Sequence, residues 1–314
     1  MGTRLRSALM TWVLSRPRFL HSITPALGAE LLADPGLEGT YTAGKVAALT
    51  KDGSPTLAQS ADVHGGAKAQ EFTATAQFTG VRYIFTPLAD TFYRVSMWGK
   101  RSAGTSSKVR PSTSQSGTGN ITGTEPFWTS STYAQRIMTK LSVATSSLSV
   151  YGCDERGTSG FDTCIVDDFS AKALVFVSCF KTFMTSAALS SVSAHITSPT
   201  QPWIGVAANI DSRTNPLNCV LGLFSNDAAA ARAVLYQVSN GVLTVKVSAI
   251  ITYAADAELK VIQTAPTTYQ LWYNGLQVGT DQTINDAAIN NNTLFSQFST
   301  YEGGTYSAFA VAPF

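Results

Sequence analysis

The chain has 314 residues, enough for two domains, since a single hydrophobic core seldom grows beyond about 250–300 residues. Hydrophobic residues make up 44% and charged residues only 13%, about half the average share, with Ser, Thr, Ala, Gly and Asn filling the gap. The formal charge of +2 is too small to argue for nucleic acid as a partner, and a polar but weakly charged surface suits a β-rich extracellular protein better than a cytosolic enzyme.

Arg4 and Arg6 precede a short apolar run at residues 8–14, and Arg16 and Arg18 follow it at once. No small-residue cleavage site stands where a signal peptide needs one, and the run is too short to cross a bilayer. Residues 1–28 are therefore expected to form a retained docking segment containing a basic, amphipathic helix of about 12–15 residues, with no membrane insertion.

From Glu30 onward, runs of β-branched and aromatic residues alternate with polar ones and are broken by Gly, Pro, Asn and Ser. Strands are predicted at residues 81–85, 92–98, 135–138, 148–151 and 163–169. In the second of these, Tyr93, Val95 and Met97 face the core, while Phe92, Arg94, Ser96 and Trp98 face away from it. The Ser/Thr/Gly-rich stretch 102–124 reads as a long surface loop with one strand inside it. A second set of strands covers residues 174–180, 203–208, 219–224, 233–238, 242–247, 258–262 and 268–273. Asn240-Gly241 and Asn274-Gly275 supply hairpin turns within it. The fold class expected is all-β, with two consecutive β-sandwich (jelly-roll) domains at residues 29–173 and 174–314 behind the short helical segment.

Cys153, Cys164, Cys179 and Cys219 contain no CxxC pair, which gives no support to a zinc or redox site. Cys153 and Cys164 could bridge if their strands pair, but buried free thiols are preferred. His21, His64 and His195 have no carboxylate or cysteine at ligand spacing, so each is read as structural or superficial.

Residues 31–38, Leu-Leu-Ala-Asp-Pro-Gly-Leu-Glu, resemble the opening Asn-Leu-x-x-Asn-Pro-Gly-Phe-Glu of calcium-stabilised, galactose-binding-like carbohydrate-binding modules. Residues 63–69 resemble the Val-His-Ser-Gly-x-x-Ala turn of that family, and residues 161–170 its closing Asp-Asp-Val-Ser strand. Leu37 departs from the family's aromatic, and the tryptophan that commonly follows the opening motif is missing. The resemblance implies a structural calcium joining the first and last strands, held by Glu38, by Asp168 or Asp167, and by backbone carbonyls; a hard cation needs several oxygens. Read without the resemblance, Asp167 and Asp168 terminate or solvate an edge strand, and both readings stay open. Residues 205–218, 271–279 and 293–301 resemble recurrent segments of laminin-G-like, concanavalin-type sandwiches in bacterial and phage proteins.

Both resemblances imply sugar recognition, which uses exposed rings because the apolar face of a pyranose stacks on them. Candidate glycan-binding residues are Trp98, Phe127, Trp128 and Tyr133 in the first domain, with Trp203, Tyr253 and Tyr301 in the second. Core packing is the alternative for each of them. Asp211, Asn215 and Asn218 could hold a second calcium, but a polar loop satisfying its own backbone is favoured. Concanavalin-type glycosidases carry paired carboxylates on one strand, whereas Asp256, Glu258 and Glu302 stand apart here; no enzymatic activity is expected. These features together suggest a non-enzymatic virion structural protein, a capsid decoration, head fibre or tail-fibre component of a bacteriophage. It would sit at the virion surface as a homo-oligomer, docked to other virion proteins through its N-terminal segment and displaying lectin-like domains to cell-surface glycans. The alternative is a secreted bacterial adhesin or an accessory module of a polysaccharide-degrading system.

Overall fold

The structure is a computed structural model, which describes residues 21–22, 25–76, 79–89, 91–103, 109–112, 130–142, 148–154, 163–187, 189–197, 203–227, 230–300 and 305–313. The strands of the first half are β1 (His21–Ser22), β2 (Leu27–Glu30), β3 (Tyr41–Thr42), β4 (Lys45–Val46), β5 (Thr50–Asp52), β6 (Thr56–Ser60), β7 (Ala69–Thr73), β8 (Gly80–Phe85), β9 (Thr91–Ala103), β10 (Val109–Ser112), β11 (Ala134–Ser142), β12 (Leu148–Asp154) and β13 (Thr163–Leu174). A 3-10 turn at Phe176–Cys179 leads into β14 (Phe180–Thr185), β15 (Ser190–Thr197), β16 (Ile204–Ile210), β17 (Cys219–Asp227), β18 (Ala230–Ser239), β19 (Val242–Ile250), β20 (Ala257–Ala265), β21 (Thr268–Tyr273) and β22 (Leu276–Thr283). A short helix, α1 (Ala287–Asn290), then precedes β23 (Leu294–Ser299) and β24 (Thr305–Pro313).

All strand pairs are antiparallel, and the fold is all-β with two stacked-sheet units. In the first unit the sheet β11-β9-β13-β7-β6, with β2 added to β13, faces the sheet β10-β12-β8-β5. Period-two patterning explains the pairing of faces: Tyr93, Val95 and Met97 of β9 are buried among Phe72, Val81, Tyr83 and Val166, while Arg94 and Trp98 lie on the opposite face. In β13 the alternation is interrupted. The register with β9 shifts between Asp167 and Ser170, and Asp168 takes a left-handed φ of 45°. That bulge lets Val166 and Phe169, three residues apart, both enter the core.

The second unit stacks β1-β24-β15-β20-β21-β22 on β14-β23-β16-β17-β18-β19. Its hairpins turn at Asn240-Gly241 (φ 51° and 80°) and Asn274-Gly275 (φ 49° and 78°), the positive angles a type I′ turn demands. β16 is buried at every position and serves two cores. Val206 and Ala208 join the interior of the second sandwich, whereas Ala207 and Ile210 join a separate cluster on the sheet's other face. That cluster also takes in Phe92, Leu141 and Leu174 from the first unit, so one apolar layer is shared between the two.

Residues 1–20, with the expected helix, lie outside the described residues, but β1 pairs with β24 at the edge of the second unit. The boundary expected at residue 28 falls inside β2, because residues 27–30 find backbone partners on β13. Cys164 is buried and not part of a disulfide, and its strand belongs to a different sheet from that of Cys153. The first unit closes at Leu174, where β13 ends. Among the described residues, no helix is long and apolar enough to cross a membrane.

The short helix α1 is nucleated by Asp286, whose Oδ1 accepts from the Ala288 N–H at 3.0 Å while Oδ2 accepts from the Ser239 hydroxyl at 2.6 Å. The Ser239 bond, then the Ala288 N–H, hold this carboxyl below its ordinary value of 3.8. Asp286→Ala is expected to cost about 1 kcal/mol. A carboxyl depressed in the folded state contributes stability that is complete above its unfolded value and is lost as pH falls through the folded one. The gap between wild type and variant in urea denaturation should therefore be full at neutral pH and close below pH 3.8.

Candidate functional site

The outward face of β11, β9 and β13 forms the floor of a cleft of about 420 Å³. The register places three cross-strand rows on it. Gln135, Trp98 and Asp167 form one, Ile137, Ser96 and Ser170 the next, and Thr139, Arg94 and Lys172 the third. One wall is β2, fixed by Glu30. Its Oε1 accepts from the N–H groups of Leu31, Leu32 and Ala171, and its Oε2 accepts from the Ser170 hydroxyl at 2.7 Å. The other wall is the turn Pro35–Gly36, tied to the bulge by the Phe169 N–H, which donates to the Pro35 carbonyl at 2.7 Å. The cleft is in the size range of small-ligand sites. An indole beside a polar, partly charged floor suits a polyhydroxylated ligand with one apolar face.

Trp98 does not stand alone. The His64 imidazole stacks on it with centroids 3.6 Å apart at 13°, and Tyr133 meets His64 edge-on at 5.7 Å. The Tyr133 hydroxyl donates to the Asp62 carbonyl at 2.7 Å, Lys100 lies 4.6 Å over the Tyr133 ring, and Lys100 also pairs with the Asp62 carboxylate. Burial, then the charges of Asp167, Asp62 and Asp168, push the Tyr133 phenol up. Two sequence candidates, Trp98 and Tyr133, are thus joined through a histidine that the sequence offered only as structural or superficial. Phe127 and Trp128 lie outside the described residues, as does Tyr301. Trp203 packs against Phe92 and Tyr236, and Tyr253 against Phe224, so these two build core. Arg94 and Ser96 could have been found from the period-two pattern around Trp98; Glu30, Gln135, Ser170 and Lys172 could not, because only tertiary pairing brings them there.

Beside the cleft, the expected metal ligands gather around the turn 64–68. Asp167 is fully buried, with Oδ2 accepting from the N–H groups of His64 (2.9 Å) and Gly65 (3.2 Å) and Oδ1 from that of Asp168 (2.9 Å). Burial pushes its carboxyl up, against the pull of those three amides. Glu38 Oε1 accepts from Ala67 (2.7 Å) and Lys68 (3.1 Å), which hold its carboxyl down. Asp168 Oδ2 lies 2.6 Å from His64 Nδ1. The implied calcium requires these oxygens for itself, six to eight of them from all sources. Here both Asp167 oxygens and Glu38 Oε1 already accept backbone N–H bonds, Asp168 Oδ2 is taken by the His64 ring, and among the described residues no three His, Cys, Asp or Glu side chains form a metal-holding group. In this hydrogen-bonded arrangement the donor set does not fit calcium, the ion for which Glu38, Asp167 and Asp168 are the expected ligands.

In the second unit, Asp211 accepts from the Leu217 N–H and the Asn218 amide, and Asn218 in turn accepts from the Asn240 N–H. This polar loop satisfies its own backbone and side chains.

No family model matches the sequence, and no curated protein matches it. Among solved structures, the tandem CBM22-1–CBM22-2 of Paenibacillus barcinonensis Xyn10C is similar over 91% of this chain and 98% of its own, at 12% identity and a TM-score of 0.37. The CBM22-1 xylan-binding domain of the same protein is similar over 49% of this chain and 98% of its own, at 15% identity and a TM-score of 0.37. A carbohydrate-binding module, CBM66 from Bacillus subtilis, is similar over 41% of this chain and 80% of its own, at 13% identity and a TM-score of 0.33.

Proposed function

We propose that the protein is a non-catalytic carbohydrate-binding protein whose first sandwich takes a glycan into the cleft on β9, β11 and β13. The observation that carries this reading is the half-buried Trp98 on the same strand face as Ser96 and Arg94 and beside Gln135, in a cleft of about 420 Å³. The indole would stack on the apolar face of one sugar ring, while Gln135, Ser96 and Lys172 meet hydroxyl groups.

Binding is favoured over hydrolysis. Glu30 and Asp168 both line the cleft, but Glu30 is held by four hydrogen-bond donors and Asp168 by His64, and neither is arranged to pass a proton to a leaving group. The further placement on a bacteriophage virion rests on the basic N-terminal segment, whose first twenty residues lie outside the described residues. A secreted adhesin or accessory module would use the same cleft. The test is retention of the full chain on a glycan array and on gels cast with soluble xylan, mannan and β-glucan. Selective binding of at least one glycan, with no release of reducing sugar, is the expected result. No binding to any of them would overturn the glycan reading, and release of reducing sugar would overturn the non-catalytic one.

A further inference from the structure

The carboxylates that converge on the turn 64–68 bind the opening turn of the first sandwich, the loop after β6 and the closing strand β13 into one knot. Each of the three is answered by a group of this chain. Asp167 has three backbone N–H bonds, Glu38 has two, and Asp168 has the His64 ring. Successive N–H groups pointing into one concavity make a nest for anions. A cation placed among them would meet the positive ends of those dipoles.

The backbone carbonyls tell the same story. Lys68 donates its ammonium to the carbonyls of Glu38 (2.9 Å) and Gly39 (3.2 Å), so a fixed positive charge already sits on two oxygens beside the Glu38 carboxylate. That ammonium also helps hold the Glu38 carboxyl down. The turn is shaped for this arrangement and leaves no slack. Gly66 has a φ of +67°, and a Cβ there would fall 1.9 Å from Glu38 Oε1; one on Gly65 would fall 2.8 Å from Asp168 Oδ2. His64 is held on its other side by the Trp98 indole.

We infer that this knot is a metal-independent clasp in which Lys68, His64 and the amides of residues 64–68 do the work that a structural cation does elsewhere. Lys68 supplies the charge and the carbonyl cap. His64 supplies the bond to Asp168 and carries the position of the clasp to the Trp98 ring.

The test is thermal unfolding of the full chain in excess EDTA and in millimolar CaCl2, together with terbium titration. Trp98 stands within the cluster and would sensitise any lanthanide bound there. A resident site filled to a hundred times its Kd would raise Tm by about 5 °C or more. The expected result is a wild-type Tm unchanged between the two conditions and no sensitised terbium emission. Lys68→Met and His64→Gln should each lower Tm by about 2–4 °C in both conditions. A calcium-dependent rise in wild-type Tm, or saturable terbium emission, overturns the inference. So does wild-type stability in both variants, which would show that these side chains close nothing. The wild-type comparison needs no variant to fold, and none of these readouts depends on a glycan.

Discussion

Trp98→Ala is expected to lower affinity for the glycan best retained by wild type by about thirtyfold, the equivalent of about 2 kcal/mol for loss of a central aromatic anchor. The size of the effect follows from position. Trp98 shares a cross-strand row with Gln135 and Asp167, and it is the ring of the cleft lining that offers a wide apolar face next to the polar floor. His64 covers one face of the indole at 3.6 Å, so a sugar has the remaining face and edge to work with. Trp98→Phe keeps a smaller ring in the same place and should recover part of the loss. The fold should tolerate both changes, since the half-buried Trp98 belongs to the outer face and not to the Tyr93, Val95, Met97 core. The measurement is isothermal titration or affinity electrophoresis, with circular dichroism to show that the sheets are intact. Binding of Trp98→Ala within twofold of wild type would mean that the cleft is not where the sugar sits.

The strands legible in the sequence are those whose side chains alternate strongly. Residues 92–98 announce both faces of β9, and the Asn-Gly turns announce two hairpins by the left-handed angles they require. β15, Ser-Ser-Val-Ser-Ala-His-Ile-Thr, is a central strand of its sheet whose Val192, Ala194 and Ile196 do alternate into the core, but with only two large apolar residues among small and polar ones its signal is weak and it is not among the predicted strands. β7 is similarly obscured by Gln70, a fully buried amide whose Nε2 donates to the Gly44, Ala58 and Glu71 carbonyls. The site was legible in part. Trp98 and Tyr133 are readable as rings, and Glu38, Asp167 and Asp168 as charges near matching motifs. What the carboxylates bind was not readable, because it depends on backbone N–H groups that have no letter in the sequence. The bulge at Asp168 is equally silent, yet it decides which side of β13 faces the cleft.

The largest stability effect is expected from Phe298→Ala, at about 3–5 kcal/mol. The ring is fully buried in the cluster shared by the two units, with centroids 5.8 Å from Phe92, 5.6 Å from Phe176 and 5.1 Å from Phe180. Phe295 lies on the same strand, equally buried, but belongs to the interior of the second sandwich alone. The two substitutions remove the same number of atoms and so separate local packing from coupling between the units. Phe295→Ala should lower the unfolding temperature of the second sandwich and leave β9 as protected as before against hydrogen exchange. Phe298→Ala should also loosen Phe92 at the start of β9, speed exchange at Tyr93 and Val95, and divide a calorimetric transition shared by the two units into two. A double-mutant cycle between Phe92→Ala and Phe298→Ala should return about 0.5–1.5 kcal/mol of coupling for the ring pair. Zero coupling, with unchanged β9 protection in Phe298→Ala, would show that the sandwiches only touch. Positive coupling has a functional consequence, because Phe92 begins the strand that carries Arg94, Ser96 and Trp98 into the cleft. The second sandwich would then be a brace for the binding strand, and its loss would weaken glycan affinity without contributing a single contact.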